Sequence, residues 1–285
     1  MQELDDYIQK VKHLPPAPRV LPKLLTLLGQ PNIDSGRIVE LIQYDSALTA
    51  SLLQVCNSAY LASSTPVADL EEAVNRLGFH LVFRLVAGLS GSRTLSPSQK
   101  GYGMDEGELW KHSVTSAVAA QLIAAECDVD ENVAFTAGLL HDIGKVILSG
   151  ALEHIYQKLR DEVDTNQQSL LETEKRLLGV QHAEIGGRLL ANWKFPAPLV
   201  AAVWFHHHPA AAQPHQKLAS CVYLGNMIAY FIGNGFGHQA FALRGRGEAL
   251  SMLGLRGDDL PRLMIETYDH YAGIEALFNI NAISA

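Results

Sequence analysis

The sequence predicts an all-α protein made of two packed helical bundles. Helical periodicity recurs along the whole chain, and no stretch shows the strict alternation of a half-buried strand. A polar, turn-rich segment, SPSQKGYGM (residues 96–104), separates two sets of apolar helices. These observations set the expected organisation as a bundle over 1–95, a second over 105–235, and a helical extension over 236–285 packing on both.

After a short first helix, LPPAPRV (Leu14 to Val20) reads as a proline-stiffened extended segment. A helix follows through Leu24, Leu25, Leu27 and Leu28, ending near Gly29. Asp34 is placed to cap a helix carrying Ile38, Leu41 and Ile42, and Asp45 or Ser46 restarts one with Leu48, Leu52, Leu53 and Val55. Asp69 opens another that stops at Gly78, and Phe79 to Leu89 supplies one more. In the second bundle Asp105 is expected to cap a long helix holding His112. Glu131 to Leu148, ENVAFTAGLLHDIGKVIL, reads as a buried helix whose apolar run ends in His141 and Asp142; Gly144 then loosens the backbone before the apolar residues resume at Val146. Further helices begin near His182, around PLVAAVWFHHHP, at His215, and from Asp258 onward.

With 285 residues the chain can bury roughly three quarters of its unfolded surface. Its 48% hydrophobic and 18% charged content is that of a soluble globular protein. A net charge of −8 argues against nonspecific binding to nucleic acid or anionic lipid. Cys56, Cys127 and Cys221 lie inside apolar helical runs, as reduced core thiols do, rather than in a disulfide framework. The polar, acidic start MQELDDYIQK is no signal peptide, and no uninterrupted apolar run reaches about 18 residues. The expected setting is therefore cytoplasmic, without a membrane or nucleic-acid partner.

The chemistry concentrates in the second bundle. A buried carboxylate needs a partner, and for His141–Asp142 taken alone a divalent metal and a helix-capping hydrogen bond are equal readings. His112, His182 and the pair His206–His207 also sit in or at the ends of apolar helices. One metal centre satisfies several buried imidazoles together, whereas each would otherwise need its own partner. Imidazoles with a bridging carboxylate suit one or two divalent transition ions such as iron, manganese, zinc or nickel. His13, His80, His154, His208, His215, His238 and His270 lack this register and are assigned to surface or capping positions. Asn57, Ser58 and Tyr60 read as capping and turn residues. Arg76, Arg84 and Arg93 do not concentrate on one helix face as a nucleic-acid-reading element would require.

The order His112, His141–Asp142 within HDIGK, His182, and His206–His207 within HHHP resembles the HD superfamily of metal-dependent phosphohydrolases. The stretch from Leu41 to Val86, with Asp45, Leu48, Asn57-Ser58-Ala59, Ala73 and Leu77-Gly78, is similar to the HDOD family, the HD-related output domain of bacterial signalling proteins. The resemblance runs from about Leu14 to about Ala229. It implies that the first bundle is family-specific and the second HD-like. It also implies that His112, His141 and Asp142 hold one metal, closed in relatives by an aspartate of a later helix. Where related sequences read HLAD, this chain reads Tyr223-Leu224-Gly225-Asn226, so Asn226 replaces that aspartate. A second metal would use Asp142 as a bridge with His182, His206 and His207. The function implied is bacterial signal transduction, coupled to a signalling protein or a small phosphorylated ligand. The alternative is a working phosphohydrolase on a nucleotide or other phosphoester, with Asp142 and Lys145 carrying the chemistry. For Lys145 itself, a phosphate contact and an ordinary exposed lysine are equal readings. No GYP-containing loop follows His207, which argues against cyclic-di-GMP hydrolysis of the HD-GYP type.

Overall fold

A computed structural model describes residues 20–30, 33–57, 67–155, 169–235 and 245–282. Among these the fold is all-α, and the one extended pairing is an isolated bridge between Gln99 and Met104. The chain divides into two compact units: the described part of Pro18–Ser90 with Asp269 onward, and Gly91–Tyr268.

In the amino-terminal unit three helices start where an aspartate side chain satisfies a free N–H group of the first turn. Helix α1 (Leu21–Leu28) carries Pro22 in its first turn, where no N–H is needed. Asp34 accepts from the Arg37 N–H to open α2 (Ser35–Ile42). Asp45 accepts from the Leu48 N–H at 3.1 Å and opens α3 (Ser46–Cys56). Asp69 caps α4 (Leu70–Leu77), which Gly78 ends at φ 74°, a conformation that suits glycine. The next helix, α5 (Phe79–Leu95), runs six residues beyond the expected Leu89. Asn57 is a clamp: its side-chain amide donates to the Val67 carbonyl and accepts from the Val67 N–H, both at 2.7 Å. It thereby seats Val67 beside Cys56 and Ala73 in a small buried cluster. Ser58 and Tyr60, and the expected first helix, lie outside the described residues.

The carboxy-terminal unit is built on α6 (Glu108–Glu126), which packs most extensively against α7 (Glu131–Leu140) and α12 (Gln216–Phe231). Between them come α8 (Ile143–Leu152), α9 (Leu170–Leu178), α10 (His182–Asn192) and α11 (Ala197–Trp204). Two further helices follow, α13 (Arg246–Leu253) and α14 (Leu260–Ala282), the latter belonging to this unit as far as Tyr268. Asp105 does not cap α6. Gly107 holds that position at φ 84°, and the Asp105 N–H instead donates to the Glu108 carboxylate, so the chain turns sharply into the helix. The segment SPSQKGYGM folds into this unit, with Gly101 buried and its N–H donating to the Ser149 hydroxyl. Cys127 and Cys221 here, like Cys56, are buried free thiols.

The stretch 131–148 is not one helix. It breaks at His141–Asp142, between α7 and α8. In a continuous helix consecutive side chains diverge by about 100°, so two neighbours could not face one interior point; at the break they can. The stretch Glu131–Gly150 is long and apolar enough on average to resemble a membrane span, yet 83% of its most apolar 18-residue window is buried within the protein.

Gly144 does not loosen the backbone either. It lies inside α8, where a Cβ would collide with the backbone carbonyl of His182, and its lack of a side chain brings α8 against α10. Because the obstacle is backbone, Gly144→Ala should destabilise the unit by about 3 kcal/mol, the upper end of ordinary overpacking. Gly150→Ala, with nothing within 4 Å of its Cβ, should be neutral or stabilising by about 0.5–1 kcal/mol. Thermal denaturation of the two variants checks this; equal effects would remove the close-approach account.

Candidate metal centre

Four helical junctions deliver the histidines to one interior point. His112 comes from the first turns of α6, and His141 and Asp142 from the α7–α8 break. His182 is the first residue of α10, and His206 and His207 follow the end of α11. His112, His141, His182, His206 and Lys145 are 0% exposed, Asp142 is 1% and His207 is 6%. All six residues expected as ligands therefore converge, in two groups of three: His112, His141 and Asp142, and His182, His206 and His207.

Asp142 lies between the groups. Its Oδ2 is 3.3 Å from His141 Nε2 and 3.6 Å from His112 Nε2; its Oδ1 is 3.2 Å from His182 Nε2 and 3.8 Å from His206 Nε2. His182 Nε2 lies 3.1 Å from His207 Nε2. Two donors each about 2.1 Å from a common ion stand about 3.0–3.4 Å apart; the separations of 3.1, 3.2 and 3.3 Å are those of ligands sharing an ion, and those of His112 and His206 to Asp142 are slightly wider.

The opposite ring edges set the tautomers. Nδ1 of His112, His141 and His206 meets the carbonyl oxygens of Asn234, Gly138 and Val203 at 2.9, 2.7 and 2.7 Å. A carbonyl only accepts, so each Nδ1 carries the proton and each Nε2 turns its lone pair inward. His141 Nε2, His206 Nε2 and Asp142 Oδ1 are buried without a hydrogen bond. Converging lone pairs beside a carboxylate repel one another unless a cation lies between them. The donor set therefore fits one or two divalent ions.

His182 is held differently. Its Nδ1 lies 2.9 Å from both oxygens of Glu174, whose Oε2 also accepts the His182 backbone N–H at 2.8 Å. Tyr102 donates its hydroxyl to Glu174 Oε1 at 2.8 Å. Sequence reasoning missed both residues. A signal for Glu174 was present, since it stands in the apolar stripe of α9 with Leu170, Leu171, Leu177 and Leu178, and it is 0% exposed. Tyr102 lay in a segment read only as a boundary, and no local pattern marks it.

Lys145 is not an exposed lysine. One turn into α8, its Nζ lies 2.6 Å from Asp142 Oδ2. Among the histidines set aside from the centre, His80, His154, His208 and His270 are exposed and His215 precedes α12, while His13 and His238 lie outside the described residues.

Burial and the neighbouring His141 push His112 down to about 3, and burial with adjacent imidazoles holds His206 and His207 well below the ordinary range. Burial also opposes charge on His182, but Glu174 and Asp142 outweigh it and raise that histidine. For Asp142 burial opposes ionisation, but His141 and Lys145 prevail and hold it well below the carboxylate range.

An all-α bundle with a buried histidine–aspartate centre defines an HD-type protein. The HDOD domain model matches residues 14–209, and the chain belongs to the HDOD family of the HD-phosphohydrolase superfamily. It is 28% identical over 228 residues to a protein of Treponema pallidum (strain Nichols), covering 78% of this chain and 43% of that one. It is 31% identical over 110 residues to ribonuclease Y of Campylobacter jejuni, covering 39% of this chain and 16% of the enzyme. The chain thus spans less than half the length of these relatives. Among solved structures, a Marinobacter aquaeolei VT8 protein proposed to act in signal transduction superposes with a TM-score of 0.78 at 23% identity, over 98% of this chain and 65% of that one. A Shewanella amazonensis SB2B protein proposed to be a phosphohydrolase superposes with a TM-score of 0.70 at 25% identity, over 96% and 97%.

The direction of the histidine shifts fixes a pH response. His112, His206 and His207 stay neutral in the fold but take up protons in the unfolded chain near pH 6.5, so their contribution is lost as pH falls below about 6.5. His182, raised, works in the opposite sense. With three against one, the melting temperature of metal-free protein should fall between pH 7 and pH 5; a constant or rising value would contradict this electrostatic picture. Glu174→Gln should weaken metal affinity about 10- to 100-fold, the usual effect of losing a carboxylate behind a histidine ligand, as read by chelator competition.

Proposed function

We propose that this chain is a bacterial HDOD-type regulatory protein whose buried metal centre sets the packing of its helices. In this reading a signalling partner protein or a small phosphorylated ligand reads that packing. Closure is the observation that supports it most: no expected ligand is more than 6% exposed. Structural metal sites are closed, whereas catalytic ones keep a position open to substrate. The occupant would be one or two iron, manganese, zinc or nickel ions. Asn226 supports a regulatory role as well. It is 1% exposed with Oδ1 making no hydrogen bond, and in this reading it stands in place of a carboxylate, a weaker ligand that lowers affinity at the His112/His141 position.

A second reading, metal-dependent hydrolysis of a phosphoester, is favoured by one opening. His207 borders a cleft of about 450 Å³ lined also by Leu171, Gln181, His208, Pro209 and Glu248. The similarity to ribonuclease Y and to the Shewanella amazonensis protein points the same way. A bound ion there supplies activation of water and polarisation of a phosphoryl oxygen. In this reading Asp142 anchors the centre and Lys145 offers the buried positive charge nearest to it.

His182→Ala and His207→Ala should each lose the metal carried by the wild type, measured by elemental analysis; equal, near-zero metal in all three proteins would remove the centre. Phosphomonoesters, nucleotides and cyclic dinucleotides assayed with manganese or iron separate the two readings. Turnover abolished by Asp142→Ala establishes the enzyme, and no turnover by metal-loaded protein supports the regulator. Added to Lys145→Met, which removes the ammonium from Asp142 Oδ2, Asn226→Asp should tighten metal binding at the His112/His141 position, and unchanged affinity would sink the role given to Asn226.

A further inference from the structure

We infer that Lys145 is a built-in cation that fills the His112/His141 side of the centre, so that the protein binds a single metal ion, on the His182/His206/His207 side. The inference rests on the centre being a metal site and adds its stoichiometry. The two oxygens of Asp142 are in different states. Oδ2 is occupied by the Lys145 ammonium at 2.6 Å, a short charge-assisted hydrogen bond between groups 0% and 1% exposed. Oδ1 makes no hydrogen bond and faces His182 Nε2 at 3.2 Å and His206 Nε2 at 3.8 Å. Oδ2 thus carries a fixed ammonium, whereas Oδ1 faces only imidazoles that are themselves candidate ligands.

The His112 and His141 Nε2 atoms lie 3.6 and 3.3 Å from the same Oδ2 that holds the ammonium. An ion bound by those two imidazoles and Oδ2 would stand against a fixed positive charge that the interior cannot screen. Lys145 cannot leave cheaply, because an unpaired buried ammonium is strongly disfavoured. The other group has no competitor that is not itself a ligand. Among the described residues Oδ1 faces the imidazoles of His182 and His206, both members of that group, and His206 Nε2 is free of hydrogen bonds. His182 Nε2 and His207 Nε2, 3.1 Å apart, share at most one proton, which an ion would displace. In the hydrolytic reading the ammonium then does the work of a second ion, placing one fixed positive charge and one metal on either side of Asp142.

The test is the metal stoichiometry of the full chain, titrated with Mn²⁺ and followed by elemental analysis and electron paramagnetic resonance. Wild type should take one equivalent and show the hyperfine sextet of an isolated ion. Lys145→Met, which keeps length and bulk without charge, should take two equivalents, the second lost again on adding His141→Ala; Lys145→Arg should stay at one. Two equivalents in the wild type, or an exchange-coupled pair signal, would overturn the assignment of Lys145 while leaving the centre intact. No metal in the wild type would overturn the metal reading itself. Should Lys145→Met fail to fold, the wild-type stoichiometry and signal still decide.

Discussion

The carboxylate of Asp142 is the constraint on which the rest of the carboxy-terminal unit depends. It is ionised, 1% exposed and placed where four helical junctions meet. An ion so buried persists only if positive charge and donors surround it closely. Lys145 supplies part of that compensation from the next turn of its own helix, and the ring of imidazoles supplies a site for the remainder. Seen this way, the break between α7 and α8 is the local feature that makes the centre. It turns His141 and Asp142 to the same side and starts α8 at the angle that puts Lys145 on Oδ2.

The packing of the bundle follows from the same requirement. Backbones must approach closely for short imidazole side chains from separate helices to reach one point. Gly144 lets α8 touch the first turn of α10, and Gly138 brings α7 onto the backbone of Ala117 in α6. Carbonyls freed at helix ends, those of Gly138 and Val203, then orient His141 and His206. The fold thus provides both the convergence and the tautomers, and neither could be set by the histidines themselves.

Much of this was legible in the sequence because its signals are local. The caps Asp34, Asp45 and Asp69, the stop at Gly78 and the histidines on apolar helices each act within a turn of themselves. What escaped notice depends on contacts between distant segments. Tyr102 reaches Glu174 across 72 positions of chain. Gly144 looked like a hinge because the carbonyl that requires a glycine there belongs to His182. Lys145 read equally well as exposed because a lysine is seldom fully buried, and the Asp142 oxygen and Tyr102 ring that receive it are brought there only by the fold.

X-ray absorption at the metal edge of the protein loaded with iron or manganese tests the central claim most directly, since it reports the ligands of the ion itself. The account expects a first shell of nitrogen and oxygen with the outer-shell scattering of several imidazoles. A shell of oxygen alone, or no specifically bound ion, would contradict it.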